Sequence, residues 1–369
     1  MRILFGSCRY YPIGGGAENT FMNVVNMASR SNEVMVITQE LTAKIEKGEY
    51  LDLHKNRVTK FKYLFQGGEF WSEKINKKVE KEVLNFVKKY KPDVIHGNFL
   101  NHFTFILSSV AKKLDIPYVQ TVCGSDIYLF PIKKDIRKMS SITLRQSSFI
   151  IAKSKDLKSA LGRRFKISKD KVSVISNSVD INRHKTKKEE DYIVWVGKIK
   201  WVKGVDFLCA IAEMIQKLNP KIKIYVIGDG EDTRRIRSFI EARQLDNLFI
   251  LGQQSRDKTK QYIRQSKFLI ITSFYEGCSN VVLEAFTKSK PVIGFNTFGV
   301  RNLVKNNERG ILVDCFDLKD FARKTNKLFC SKTMRDCLGD NALVYVRENH
   351  NLQLFDSIFN IYKKLNKNV

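Results

Sequence analysis

The feature that most constrains the fold is the alternation of short apolar runs with segments of helical periodicity along the chain. Strands that alternate with helices form βαβ units, in which the strands are parallel and the helices cover the sheet. In the first half, strands are predicted at residues 3–6, 34–38, 94–96, 118–122, 149–152 and 172–175, and helices at 17–30, 72–90, 101–114 and 154–165. The pattern predicts a parallel α/β sheet.

A polar stretch at residues 180–191 has almost no core-forming side chains and predicts an exposed connection. After it, strands are predicted at residues 192–196, 222–227, 248–251, 268–271, 291–295 and 311–313. Since 369 residues exceed the size of a single growing core, two domains are expected. We place the first domain at residues 1–180 and the second at 181–345. A C-terminal helix in 346–369 is expected to pack back towards the first domain.

The formal charge of +27 is spread over both halves. Such a charge attracts nucleic acid, anionic lipid or an acidic polymer. Basic residues are enriched at 153–171 and 71–91, which predicts two surface helices able to lie on an anionic membrane face. No apolar run reaches the roughly 18 residues that cross a bilayer, and the short apolar N-terminus predicts no signal peptide.

The seven cysteines are dispersed and include no Cys-x-x-Cys pair. This pattern is typical of reduced thiols rather than of a disulfide framework or a zinc site, and we expect most of them in the core. The sequence therefore indicates a cytoplasmic protein. Attachment to the inner face of the cytoplasmic membrane is the open alternative.

Residues 273–286 carry the strongest chemical signal. They place Glu276 in a Gly-containing loop after an apolar strand, and Glu284 in the helix that follows. Ligands of open α/β sheets bind at the carboxyl ends of strands, where helix N–H groups meet phosphates and a Glu accepts from sugar hydroxyls. The segment predicts a nucleotide-sugar site. The alternative is a purely structural segment, in which a buried strand, a turn and a helix follow one another and Glu284 is merely solvated.

Two further cations follow the first strand of the second domain, at Lys198 and Lys203. Charge develops on a diphosphate leaving group as a glycosidic bond breaks, and cations beside a helix N-terminus stabilise it. We predict this role for Lys203 and Lys198, and a surface position for Lys200.

Glycine-rich turns follow strands at Gly14-Gly15-Gly16 and at Gly228-Asp229-Gly230, where a backbone can approach a ligand closely. The first lacks the spacing of a nicotinamide site or a P-loop, and a plain tight turn is the alternative. For Asp229 the alternative is a helix cap.

Strand ends of the first domain bring His96, Cys123 and Asp126 to one sheet edge. We predict that this edge faces the acceptor. His96 is equally consistent with a satisfied polar residue at a strand end.

Taken with Asn177-Ser178-Val179-Asp180, Gly197-Lys198 and Lys203-Gly204, the glycine turns and the Glu276-to-Glu284 motif make the chain resemble glycosyltransferase family 4. These are retaining, glycogen-synthase-like enzymes. The resemblance covers nearly the whole chain and implies the GT-B architecture, an α/β fold with two Rossmann-like domains facing across a cleft.

By this resemblance, Glu284 holds the donor ribose, Glu276 lies beside the hydroxyls of the donor sugar, and Lys198 and Lys203 neutralise the diphosphate. Gly15 and Gly16 close over it from the other domain. The implied donor-binding set is Gly15, Gly16, Gly197, Lys198, Lys203, Gly228, Glu276, Gly277, Cys278, Ser279, Asn280 and Glu284. The implied catalytic set is Glu276, Lys203, Lys198 and Asp126, and the acceptor-side set is His96, Cys123 and Asp126.

Two residues depart from the family pattern. Lys198 stands where Arg is usual, which replaces a bidentate grip by a point charge. Cys123 stands where many members have a His that contacts the donor sugar, and a thiol is a weaker hydrogen-bonding group.

The resemblance implies a retaining transferase that needs neither metal nor cofactor. It would move a hexose-type sugar from a nucleoside diphosphate to a lipid-linked or polysaccharide acceptor in cell-surface glycan synthesis. Two alternatives stay open, a nucleotide-sugar epimerase and a basic nucleic-acid-binding protein. The second would need aromatic residues interleaved with one basic groove, whereas the charge here is spread.

Overall fold

The computed structural model describes residues 1–11, 15–38, 48–52, 55–60, 73–129, 134–181, 189–351 and 353–366. Gly14, Trp71, Ser72 and residues 182–188 of the polar connection lie outside the described residues. The chain divides into two compact units, one of Met1–Ser176 with Gln353–Val369 and the other of Asn177–Leu352.

The first unit contains an eight-stranded sheet of order β3-β4-β2-β1-β5-β6-β7-β8. Its strands are β1 (Arg2–Ser7), β2 (Glu33–Thr38), β3 (Gly48–Leu51), β4 (Arg57–Lys60), β5 (Val94–Asn98), β6 (Tyr118–Val122), β7 (Phe149–Ala152) and β8 (Val172–Val174). The pairing is parallel except between β3 and β4, an antiparallel hairpin that the apolar pattern did not predict. The helices are α1 (Gly16–Ala28), α2 (Glu73–Tyr90), α3 (His102–Lys113), α4 (Ser125–Tyr128), α5 (Lys134–Gln146) and α6 (Lys155–Phe165).

The second unit contains a six-stranded parallel sheet of order β11-β10-β9-β12-β13-β14. Its strands are β9 (Tyr192–Val196), β10 (Lys223–Ile227), β11 (Leu248–Gly252), β12 (Leu269–Ile271), β13 (Val292–Phe295) and β14 (Gly310–Val313). The helices are α7 (Val205–Leu218), α8 (Thr233–Ala242), α9 (Arg256–Gln265), α10 (Asn280–Phe286), α11 (Val300–Leu303), α12 (Leu318–Cys330) and α13 (Lys332–Asn349). Its two central strands, β9 and β12, carry the loops that hold Lys203 and Glu276.

The last helix, α14 (Leu354–Asn366), belongs to the first unit. Phe355, Ile358 and Tyr362 are buried in one cluster with Phe5 and Phe21. The unit boundaries lie between residues 176 and 177 and between residues 352 and 353. The sequence places them between residues 180 and 181 and between residues 345 and 346. The difference arises because α13 continues to residue 349, and because the N–H of Val179 donates to the carbonyl of His350 within the second unit.

The basic stretch 153–171 is not a uniformly exposed face. Lys153 is buried, and the side chains of Lys158, Arg164 and Lys171 donate to the backbone carbonyls of Val172, Ile127 and Arg145. These cations hold neighbouring turns in place, so fewer face solvent than the sequence suggests. The described part of the chain contains no helix that is both long and apolar enough to cross a membrane.

The expectation that most cysteines lie in the core is wrong. Only Cys209 is buried, whereas Cys315, Cys330 and Cys337 are exposed. All seven are free thiols.

Candidate active site

The chain leaves β9 through a tight turn that brings three lysines together. Residues 201–203 form a short 3-10 turn that ends at Gly204, whose φ is +66°. A Cβ at Gly204 would lie 2.0 Å from the carbonyl oxygen of Thr272, so only glycine fits. The turn therefore packs directly on the loop that follows β12.

Two more hydrogen bonds fix the turn to that loop. The hydroxyl of Thr272 donates to the carbonyl of Lys203 at 2.8 Å, and the N–H of Phe274 donates to the carbonyl of Val202 at 3.1 Å. The indole N–H of the buried Trp195 donates to the Thr272 hydroxyl at 3.1 Å. The position of Lys203 is thus set by the core of the second unit.

Lys203 and Glu276 form an ion pair, with Nζ 2.7 Å from Oε1. The same oxygen accepts from the hydroxyl of Ser273 at 2.8 Å, and the N–H of Glu276 donates to the carbonyl of Phe298 at 2.8 Å. Both side chains are largely shielded, with 28% and 12% exposed. The contact joins two residues that the sequence assigned to one site.

Lys200 also belongs to this group, although the sequence predicts a surface position for it. It is half-buried. Burial lowers its pKa, the cations of Lys203 and Lys198 lower it further, and Glu231 and Glu276 oppose them. In a 3-10 turn, residues i and i+3 lie on the same side, so the spacing of Lys200 and Lys203 could have predicted that Lys200 lies beside Lys203. Lys198 is exposed.

Glu284 lies on α10, the helix that follows the Glu276 loop, and is half-buried. Its carboxylate has no hydrogen-bond partner among the residues that the structure describes. Burial raises its pKa, and the charges of Arg256, Lys260 and Lys288 oppose the shift. A shielded carboxylate with open lone pairs is suited to accept hydrogen bonds from hydroxyl groups.

The residues between these two carboxylates form the start of α10. Gly277 and Ser279 are buried, and Ser279 is the N-terminal cap position. Cys278 and Asn280 are partly buried, and both contact the side chain of Asn177.

The glycines after β10 serve close packing of two loops. A Cβ at Gly228, whose φ is +140°, would lie 1.9 Å from the carbonyl oxygen of Gly197. The carboxylate of Asp229 accepts from the N–H of Gly230 at 2.8 Å and from the hydroxyl of Thr233 at 2.5 Å. These contacts lower the pKa of Asp229 and hold it in the turn before α8, whose N-cap residue is Asp232 and not Asp229.

In the first unit, Gly15 and Gly16 are exposed at the start of α1. The carboxylate of Glu18 accepts from the N–H of Gly15 at 3.0 Å.

Asp126 is completely buried and its oxygens are occupied. They accept from the N–H groups of Leu100 at 3.0 Å, Cys123 at 3.0 Å and Gly124 at 2.7 Å. Burial raises its pKa to about 6, although the backbone hydrogen bonds favour the charged form. Asp126 therefore joins the loops after β5 and β6, and its buried carboxylate is engaged by backbone N–H groups.

His96 is also completely buried. One ring nitrogen contacts the hydroxyl of Tyr362 and the other lies 2.7 Å from the hydroxyl of Thr121. Burial lowers its pKa to about 3, and Lys153 acts in the same direction. Neither ring nitrogen of His96 is available to a hydroxyl of the glycan acceptor. His96 therefore matches the alternative, a polar residue at a strand end whose hydrogen bonds are made within the protein.

Cys123 is partly exposed at the end of β6. Its thiol lies 3.5 Å from Oδ1 of Asn98. Burial raises the pKa of the thiol above its usual range, so it is neutral at physiological pH.

Comparison with known proteins identifies the family and the fold of the chain. A family model described as Glycosyltransferase Family 4 matches residues 14–183, and one described as Glycosyl transferases group 1 matches residues 177–344. An uncharacterized glycosyltransferase of Methanocaldococcus jannaschii is 27% identical over 347 residues, which is 92% of each chain. N-acetyl-alpha-D-glucosaminyl L-malate synthase of Bacillus anthracis is 22% identical over 367 residues, 94% of this chain and 93% of that protein.

Among solved structures, Anabaena HepE in complex with UDP and glucose has a TM-score of 0.80 at 17% identity, over 98% of this chain and 99% of that one. The two mainly parallel sheets are flanked by helices, and together with this likeness they define the class as the GT-B fold. The two family models extend in sequence from residue 14 to residue 344. The chain belongs to the family 4 glycosyltransferases. The matches favour a transferase over the epimerase and the nucleic-acid-binding protein.

Proposed function

We propose that the protein is a retaining glycosyltransferase that takes a hexose-type sugar from a nucleoside diphosphate and transfers it to a glycan or lipid-linked saccharide. The observation that carries the proposal is the 2.7 Å contact between Lys203 and Glu276, with Lys198 and Lys200 beside it. Cations that converge at the carboxyl end of two central strands suit a diphosphate, and an adjacent carboxylate suits sugar hydroxyls.

In this proposal, Lys203, Lys200 and Lys198 neutralise the diphosphate, and Lys203 exchanges part of its contact with Glu276 for a phosphate oxygen. Glu276 then accepts from hydroxyls of the donor sugar. Glu284, whose carboxylate lacks a protein donor in the described chain, accepts from the ribose hydroxyls. HepE was solved with UDP, and a uracil nucleotide is the first donor to test.

The transfer step breaks the bond between the anomeric carbon and the diphosphate oxygen, and forms one to the acceptor oxygen on the same face. The proton of the acceptor hydroxyl passes to the departing diphosphate. Asp126 and His96 take no part, because the carboxylate and both ring nitrogens are occupied by protein groups. Lysine cations supply the charge that a metal ion provides in other transferases, and a chelator should leave the rate unchanged.

Attachment to an anionic membrane is proposed for the exposed cations of the 153–171 segment, namely Lys155, Arg163, Lys166 and Lys169. Each basic residue near such a surface contributes about 1 kcal/mol. Reversing Arg163 and Lys166 to Glu should release the protein from vesicles that contain phosphatidylserine. Equal sedimentation of this variant and the wild type would contradict the proposal.

A transfer assay tests the function. The protein is incubated with a panel of UDP-, ADP- and GDP-sugars and with glycan and lipid-linked acceptors, and the anomeric configuration of the product is read by NMR. Retention of the donor configuration, in the presence of chelator, is the expected result. Inversion would contradict the retaining mechanism, and loss of activity on chelation would contradict the metal-free one.

A further inference from the structure

Asn177, the first residue of the second unit, holds the segment that begins α10. Its side chain is 6% exposed. Its amide donates to the carbonyl of Cys278 at 3.0 Å and to Oδ1 of Asn280 at 2.7 Å. Because these residues lie on either side of the cap position Ser279, the amide determines where the helix starts.

Asn177 is in turn tied to His350, which is 2% exposed. Nδ1 of His350 lies 2.8 Å from the carbonyl oxygen of Asn177, and Nε2 lies 3.3 Å from the hydroxyl of Tyr345. A carbonyl only accepts, so Nδ1 carries the proton and Nε2 accepts from Tyr345. The carbonyl of His350 accepts from the N–H of Val179 at 2.9 Å.

The network reaches the other end of α10 through Tyr345. The Tyr345 ring packs edge-on against Phe286, the last residue of the helix, with centroids 6.5 Å apart. The guanidinium of Arg309 lies 3.8 Å from the centroid of the Tyr345 ring. Tyr345 itself lies on α13, the helix that leads to His350. The start and the end of α10 are therefore held by the same group of side chains.

We infer that Asn177 and His350 are positioning residues that hold α10, and the carboxylate of Glu284 upon it, in the geometry that binds the nucleoside diphosphate. The inference rests on the proposed function of this site. Oδ1 of Asn177 and the hydroxyl of Ser178 are buried without a partner in the described chain. Other buried side chains of the described chain share this feature, and what distinguishes Asn177 is its pair of contacts on either side of Ser279.

Asn247 provides a matched control in the same unit. It is 2% exposed, its amide donates to the carbonyl of Ala212 at 2.9 Å, and its Oδ1 is also buried without a partner in the described chain. It differs from Asn177 in lying between α8 and β11, in contact with neither α10 nor His350. A purely structural effect of removing a buried amide should be equal at both positions.

The test measures binding of UDP, ADP and GDP by calorimetry to the full chain, with thermal unfolding recorded for each variant. Asn177→Asp keeps the shape but removes both donors. We expect it to raise the Kd of the nucleotide that the wild type binds most tightly by about tenfold or more, as lost hydrogen bonds depopulate the binding-competent segment. Asn177→Ser serves if the first variant does not fold.

His350→Ala should act in the same direction, and His350→Gln, which retains a donor for the Asn177 carbonyl, should recover part of the loss. The double variant Asn177→Asp/His350→Ala should weaken binding less than the product of the single effects, as for residues in one network. Asn247→Ala should lower the Tm and leave the Kd within about twofold, because it lies outside the network.

Wild-type affinity in Asn177→Asp or Asn177→Ser, or an equal loss in Asn247→Ala, would overturn the inference while leaving the proposed function intact. A wild-type protein that binds none of the three nucleotides would contradict the proposed function, and the inference with it.

Discussion

The side chains of Lys203 and Glu276 meet at 2.7 Å although 73 residues separate them in the chain. Lys203 follows β9 and Glu276 follows β12, and these strands are neighbours in the sheet. The contact is specified by strand order, because the carboxyl ends of adjacent parallel strands open at one edge. In the proposed function, this cation and this carboxylate meet the diphosphate and the sugar of the donor.

Replacement of Glu284 by Gln should weaken donor binding. It should also remove the decrease in donor affinity that acidification causes in the wild type. The carboxylate form accepts hydrogen bonds from a ribose better than a protonated carboxyl does. Because burial raises the pKa of Glu284 above its usual 4.5, wild-type affinity should begin to fall at a higher pH than that of an exposed Glu.

The measurement is the Kd of the donor nucleotide as the pH is lowered from neutral, in the wild type and in Glu284→Gln. The fall on acidification should be present in the wild type and absent in Glu284→Gln. Parallel profiles in the two proteins would contradict the assigned role.

Gly299→Ala should damage the Glu276 loop. Gly299 has a φ of +80°, and a Cβ there would lie 1.9 Å from the carbonyl oxygen of Glu276. Gly252 is the matched control, since its φ is +71° but a Cβ there would meet nothing within 4 Å. Gly252→Ala should cost only the backbone strain of about 1–2 kcal/mol. Gly299→Ala should lower the Tm further and reduce sugar transfer. Equal losses of Tm in the two variants would show that the close approach to Glu276 is unimportant.

Glu189→Gln should destabilise the second unit. Glu189 accepts from Arg335 at 2.6 Å and from Lys290 at 3.2 Å, and both cations are buried. Removing one partner leaves buried charge uncompensated, which costs about 3 kcal/mol. Thermal unfolding checks this, with the exposed pair of Lys332 and Asp336 as the comparison. Asp336→Asn should leave the Tm nearly unchanged, because solvent screens an exposed pair. If Glu189→Gln destabilised the protein as little as Asp336→Asn, the prediction would be contradicted.

Acidification should destabilise the first unit through His96. Its pKa is about 3 in the fold against 6.5 for a free His, so the unfolded chain binds the proton first. The contribution of the neutral His96 to the free energy of unfolding is full above pH 6.5, and it is lost as the pH falls from 6.5 towards 3. His96→Gln should reduce the dependence of Tm on pH in this window. Part of it should persist, since burial also lowers the pKa values of His102 and His350. An unchanged dependence in His96→Gln would contradict the account.

Tyr362→Phe tests the same contact from α14. The variant leaves one His96 ring nitrogen without its hydroxyl partner, and a buried unsatisfied group costs about 1–3 kcal/mol. Urea unfolding should show this loss at neutral pH. Tyr192→Phe is the control in the second unit, because it removes one hydroxyl donor, to the carbonyl of Tyr262 at 2.9 Å. A smaller loss in Tyr362→Phe than in Tyr192→Phe would contradict the importance of the His96 contact.

The sequence predicted the fold class and the strand bounds well because buried parallel strands are continuous apolar runs. β6, β7 and β9 begin and end at the predicted residues. The hairpin of β3 and β4 was missed because both strands are short and rich in polar residues. The motif that contains Glu276 and Glu284 could be found because its residues are local in sequence.

The other parts of the site depend on contacts that a linear pattern does not contain. Asn177 and Cys278 are 101 residues apart, and Lys203 and Glu276 are 73 apart. Lys200 was placed at the surface because its burial arises from the packing of its turn on the loop after β12. The sequence predicts an acceptor-side role for Asp126 because a linear pattern does not show the three N–H groups that its carboxylate binds.

Binding of a nucleoside diphosphate to the wild type and to Lys203→Ala tests the central claim most directly. Calorimetry with UDP, ADP and GDP should show one nucleotide bound at a single site. Its Kd should rise by about tenfold or more in Lys203→Ala, since a shielded charged contact contributes about 1.5–3 kcal/mol. In Lys217→Ala, where an exposed helix pair is removed, it should be unchanged. No binding by the wild type, or equal binding by wild type and Lys203→Ala, would contradict the account.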